Sequence, residues 1–167
     1  MKIFLTKQSG FSILEIVVAF SIITIGLVGV LSLTTQNVQV EYINKNNLIA
    51  SQLAQEGLEL IRNIRDNNWL AGNNWDDGIT PGAYILDYTG FINSVAGIEE
   101  ARLQQRDDVG EEDYYWHQAG DPNSLFSRLI TITQTSPELL NVSSLIQWED
   151  RGQTHQYQAD TVLYDWR

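Results

Sequence analysis

The stretch Lys7-Gln8-Ser9-Gly10-Phe11-Ser12-Ile13-Leu14-Glu15-Ile16-Val17-Val18-Ala19-Phe20 sets one carboxylate, Glu15, just inside the start of an apolar run that continues to Leu33. An acid at the centre of a membrane helix costs roughly 2.5–3.5 kcal/mol or more, so it normally has a partner. The residues before the run are polar and basic, and they end in Gly10. Residues 16–33 are 18 in a row without a charge, about 27 Å of helix at 1.5 Å per residue. Adding residues 11–14 carries the run past the roughly 30 Å hydrocarbon core.

Three fates compete for such a segment. A secretory signal has an apolar region of about 7–15 residues followed by a small-residue cleavage site. Here the run is longer, contains Glu15 and leads into Ser32-Leu33-Thr34, a poor site. An uncleaved signal anchor fits the length but leaves the position of Glu15 unexplained. Cleavage after Gly10, with the run retained, is the third fate. Lys2 and Lys7 precede the run, which places the N-terminus in the cytoplasm and the remainder outside.

The chain has 167 residues, room for one membrane segment and one small domain, with 21 acids against 10 bases. Residues 1–10 hold two of those bases and no acid, so residues 11–167 carry 8 bases against 21 acids, a formal −13. Such a surface repels phosphate backbones, so no nucleic-acid partner is expected. With no cysteine, disulfides, thiol catalysis and thiolate metal sites are excluded.

The sequence Gly10-Phe11-Ser12-Ile13-Leu14-Glu15, with bases upstream and an apolar run downstream, resembles the class III leader of type IV pilins and type II secretion pseudopilins. The resemblance implies that a membrane prepilin peptidase cuts between Gly10 and Phe11 and that Phe11 becomes the N-methylated terminus. It also implies that Glu15 pairs with the terminus of a neighbouring subunit during assembly. The chemistry is consistent: glycine leaves the scissile backbone open, and the new ammonium lies one helical turn from Glu15. A glutamate that snorkels to the membrane surface is the bland alternative. Ser12, Ala19 and Gly26 recur every seven positions with Gly29 nearby, a strip that lets helices approach closely. The competing explanation is that glycine is simply common in membrane helices.

No proline interrupts residues 11–79, and Ile49, Leu53, Leu60, Ile61 and Ile64 form an apolar stripe at helical spacing. One helix is therefore expected over residues 12–67, apolar all round in its first half and amphipathic in its second. Glu59 with Arg62, and Arg62 with Asp66, stand at supportive spacings. Gly57 costs about 1 kcal/mol against alanine in a helix, so it marks either a strand packed closely over it or a bend. The segments 25–31 and 54–66 resemble minor pilins of the type IV pilus modification branch. Two departures from major pilins are the absence of a proline midway through the apolar run and of a C-terminal cysteine pair.

Residues 67–82 are dense in Gly, Asn and Asp and read as loop. Residues 83–88 form a short strand candidate, and 99–115 read as charged loop or short helix. Residues 125–134 alternate and are β-branched, and 142–149 and 156–166 make two further strands. The fold class expected is α+β and pilin-like, a long N-terminal helix on a C-terminal antiparallel sheet. The division is a leader at 1–10, a transmembrane and filament-core helix at 11–33 and its amphipathic continuation at 34–67. A variable loop region with a short strand follows at 68–124, then the sheet at 125–167.

His117 and His155 are the only histidines, and no catalytic or phosphate-binding motif is present. No enzyme activity, cofactor or metal is expected, although Asp76-Asp77-Gly78 and the acids of 107–113 resemble calcium-holding loops in composition. Trp69, Trp75, Trp116, Tyr114 and Tyr115 are candidates for an adhesive surface or for the cap of a small core. The implied role is a minor pilin or pseudopilin. Its partners would be prepilin peptidase, other pilin-like subunits, the assembly platform and inner-membrane lipid, first in the cytoplasmic membrane and then in a cell-surface or periplasmic filament. A pseudopilin of a secretion or DNA-uptake system is one alternative. A signal-anchored surface binding module is another.

Overall fold

The computed structural model describes residues 10, 12–90, 92–106, 114–117 and 122–165. The chain divides into two units, residues 1–45 and 46–167. A single helix, α1 (Ile13–Ala71), supplies the described body of the first unit and the first element of the second.

In the first unit every described residue through Tyr42 is exposed. Ser21 and Thr24 donate their hydroxyls to the carbonyls of Val17 (2.8 Å) and Phe20 (2.7 Å), and Thr34 and Thr35 to those of Val30 and Ser32. Their polarity is thus satisfied within the helix, as a low-dielectric surrounding requires. Among the described residues this is one helix long and apolar enough to cross a membrane.

In the second unit α1 buries Asn46, Ala50, Leu53, Ala54, Gly57, Leu58 and Ile61, steps of three and four that make one face. The stripe expected from sequence was rotated slightly: Ile49, Leu60 and Ile64 pack at the margins of the core rather than in it. Periodicity selects large apolar residues, whereas close approach of helix to sheet selects small ones. The helix ends four residues later than expected. Gly72, at φ 75°, donates to the Trp69 carbonyl, and Asn73 donates to that of Asn68 at 2.9 Å. These two bonds define a Schellman cap. The Asn68 amide then donates to the carbonyls of Trp75 and Asp77, tying down the following loop.

The described residues form seven strands of one antiparallel sheet: β1 (Gly82–Leu86), β2 (Ile92–Ser94), β3 (Arg102–Arg106), β4 (Tyr114–Trp116), β5 (Asn123–Ser136), β6 (Leu139–Asp150) and β7 (Gln153–Tyr164). The expected three-stranded meander is its β5–β6–β7 half. The other edge of β5 is shared, with β3 against Asn123 and Ser127 and β1 against residues 130–132. Residues 99–115, expected as loop or short helix, hold the end of a 3₁₀ turn (Ile98–Glu100), β3 and the start of β4. Strands this short carry too few alternating positions to announce themselves. The β6–β7 turn has Arg151 at φ 51° and Gly152 at φ 75°, the paired positive values of a type I′ hairpin.

Even-numbered residues of β5 and β6 face the helix: Phe126, Arg128, Ile130 and Ile132 oppose Trp148, Ile146, Ser144 and Val142. They form two apolar clusters. One gathers Leu58, Ile61, Trp75, Ile79, Leu86 and Ile130 with the C-terminal strand residues. The other gathers Ala50, Leu53, Ala54, Leu103, Phe126, Ile146 and Trp148. At the crossing a Cβ on Gly57 would stand 2.7 Å from Ile130 Cδ1 and 2.8 Å from Ser144 Oγ. Of the two readings of Gly57, the closely packed strand is the observed one.

Gly57→Val is therefore expected to destabilise the domain by about 3 kcal/mol through overpacking. Gly57→Ala should lose less, because about 1 kcal/mol of helix propensity offsets part of the clash. Urea unfolding of the full chain in detergent, followed by tryptophan fluorescence, measures both. Equal losses, or none, would contradict the close approach.

Candidate functional site

Ser12 opens α1, its carbonyl accepting the first helical bond from the Ile16 amide at 3.2 Å. Glu15 lies in the first turn of the helix, where the unsatisfied amides and the positive end of the helix dipole favour an anion. It borders a shallow groove with Ile16, Ala19, Phe20 and Ile23. A Cβ on Gly10, Gly26 or Gly29 would meet nothing within 4 Å. Among the described residues nothing thus lies over Gly10, Gly26 or Gly29. Phe11, the expected new terminus, lies outside the described residues, as do residues 1–9, the acidic segment 107–113 and Trp166.

A second constellation, not anticipated from sequence, lies inside the domain. Arg128 on β5 is 0% exposed. Its Nη1 donates to the Leu53 carbonyl of α1 (3.2 Å) and meets Glu56 Oε2 (3.2 Å), while Nη2 donates to the Leu86 carbonyl of β1 (2.6 Å). In an α-helix the carbonyl of residue 53 faces the amide of residue 57. The missing side chain of Gly57 is what lets the guanidinium reach it. Burial lowers the Arg128 pKa, opposed by Glu56 and by Asp87.

Asp87, just past β1, is fully buried and accepts from the Thr89 amide (3.0 Å), the Thr89 hydroxyl (2.5 Å) and the His117 amide (2.9 Å). Burial alone would raise its pKa. The bonds from Thr89 and His117 outweigh that and hold it below the usual carboxylate value. His117 is pushed down to about 4, first by burial and then by the Arg128 charge, against partial relief from Asp87 and the Arg102 backbone. The signal that could have found this cluster was Arg128 itself, a cation at an inward position between Phe126 and Ile130.

The remaining sequence candidates are dispersed. His155 on β7 stacks on Trp148, with centroids 5.4 Å apart. Trp75 and Trp148 are core residues. Trp69 is half-buried beneath the Arg65 guanidinium, 4.6 Å from its centroid. Tyr114 pairs with Tyr88 at 5.9 Å on the surface, and Tyr115 meets Phe126 edge-on. Arg62 bonds Glu59 as spacing suggests, but Asp66 pairs with Arg65 instead of Arg62. Among the described residues no three His, Asp or Glu side chains gather as a metal site would require.

Residues 5–31 match the model of the prokaryotic N-terminal methylation motif, 27 of the 167 residues. No curated protein and no solved structure matches the chain. The motif supports a type IV pilin-like leader of the class III kind. Together with the long apolar helix, it supports a membrane-anchored subunit of pilin or pseudopilin type.

Arg128→Met is expected to cost about 3 kcal/mol, since it strands two buried carbonyls. Glu56→Gln should cost less, about 1–2 kcal/mol, because the amide oxygen can still accept from Nη1 although the buried guanidinium loses its counter-charge. Chemical denaturation of the two variants side by side checks the ordering, and a reversed order would refute it.

Proposed function

We propose that the protein is a minor pilin or pseudopilin, a structural subunit of a type IV pilus-like filament. The observation that carries this reading is the methylation motif at residues 5–31 running into a helix whose described residues through Tyr42 are all exposed. A helix of that kind needs lipid or neighbouring helices as its solvent. In this reading prepilin peptidase cuts between Gly10 and Phe11 and Phe11 is N-methylated. Residues 11–33 hold the subunit in the cytoplasmic membrane, N-terminus inward, until the assembly platform passes it to the filament. Glu15 then meets the ammonium of an adjacent subunit, and Ser12, Ala19, Gly26 and Gly29 form the strip where helices pack. Residues 34–67 continue the helix outward, and 68–167 form the exported domain.

The long helix against an antiparallel sheet supports the same reading, since that order of parts is pilin-like. The segments 25–31 and 54–66 support the minor branch, and their placement rests on resemblance. Secretion and DNA-uptake pseudopilins share the chemistry, and the filament's other subunits distinguish them.

Mass spectrometry of the chain recovered from membranes is expected to find a terminus at methylated Phe11. A chain beginning at Met1, or cut after residue 30, would overturn the proposal. Glu15→Val should keep cleavage yet reduce incorporation into sheared filaments by at least ten-fold, the loss of about 1.4 kcal/mol or more at each contact. Undiminished incorporation would leave the surface binding module as the better reading.

A further inference from the structure

Among the described residues β4 pairs with β3 alone, over three residue pairs. In turn β3 meets β5 at two ladder pairs, Arg102 with Ser127 and Gln104 with Asn123, with a register break between them, flanked by the Arg128 amide on the Ala101 carbonyl (2.8 Å) and the Gln105 amide on the Pro122 carbonyl (3.0 Å). By contrast β6 and β7 are zipped without interruption from Leu139–Tyr164 to Asp150–Gln153. The β3–β4 pair, like β1–β2, is laddered over three residue pairs, and short runs of pairs are marginal by themselves.

What fixes its far end is Asp87. Its Oδ2 accepts the His117 amide at 2.9 Å while Oδ1 holds Thr89, so one buried carboxylate joins the end of β1 to the end of β4. The Arg102 backbone of β3 faces the His117 ring, and among the described residues the ring's buried Nε2 has no partner. Among the described residues the charged groups facing this ring are Arg128 from β5 and Asp87 from beyond β1, with Glu56 of α1 behind Arg128.

We propose that Asp87 and His117 form an acid-released latch, which holds the β3–β4 pair on the helix–sheet body and opens when the His117 ring takes up a proton, while β5, β6 and β7 stay folded. A proton on Nε2 would create a buried N–H with no acceptor and a second positive charge beside the Arg128 guanidinium. Water resolves both when the pair swings away. Opening uncovers Leu103 and the side of Phe126 that Tyr115 covers, an apolar patch concealed at neutral pH. The latch lies within residues 46–167 and does not depend on the filament role.

The pH window follows from the states of the ring. Above its ordinary value of 6.5 His117 is neutral whether the pair is closed or open. Between 6.5 and about 4 the open form binds a proton that the closed form does not. Closure therefore weakens as pH falls through that interval. Asp87, held below the usual 3.8, stays ionised there and adds its own loss only at lower pH.

The test is hydrogen–deuterium exchange of the full chain in detergent at pH 7.5, 6.5 and 5.0, normalised to intrinsic exchange rates. Peptides over Arg102–Arg106 and Tyr114–Trp116 should lose protection on the order of ten-fold from pH 7.5 to 5.0. Peptides over Leu139–Asp150 and Gln153–Tyr164 should not. His117→Gln should flatten the profile and His155→Gln should leave it intact. A flat wild-type profile, equal loss across all strands, or an undiminished response in His117→Gln overturns the latch. If His117→Gln does not fold, the wild-type and His155→Gln profiles decide by the same criteria.

Discussion

The bond from the Arg128 guanidinium to the Leu53 carbonyl is the constraint around which the unit of residues 46–167 is arranged. It requires a cation at an inward position of a central strand, and a helix that exposes its backbone at that point. Gly57 provides the second condition. Glu56 and the Leu86 carbonyl complete the set of acceptors, and the apolar core consequently divides into a cluster on either side. A charge at the centre of a small domain is tolerated because three different elements satisfy it at once. Helix, first strand and central strand are thereby fixed relative to one another by a single side chain.

From that point the architecture follows. The small residues Ala50, Ala54 and Gly57 bring α1 close to β5 and β6. The long β5 offers one whole edge to β6 and divides the other between β3 and β1. Asp87 then ties the end of β1 to the end of β4. Ladder length falls from β5, β6 and β7 outward to the three-pair joints of β1–β2 and β3–β4. Side-chain polarity, rather than ladder length, holds the last of these in place.

The sequence carried the N-terminal half and the three long strands plainly, because their signals are local. A leader motif, an unbroken apolar run and alternation over ten residues can each be seen within one window. Gly57 was recognised as an anomaly, but whether a strand or a bend explained it depended on residues 70 and more positions away. Arg128 alone stood out, as a cation at an inward strand position, while Asp87 and His117 are unremarkable among their neighbours and the meeting of the three is a property of the fold. The tilt of the helix face was missed for a related reason: hydropathy weighs large side chains, while the contact is made by small ones.

The hydroxyls turned back onto α1 at Ser21, Thr24, Thr34 and Thr35 have a consequence for motion. Each polar group is engaged with its own helix, so these positions ask nothing of whatever surrounds them. An apolar rod of this kind has little reason to favour one azimuth over another, and it can turn or slide among lipid tails without breaking a bond. Such a segment is lubricated along the length these hydroxyls occupy.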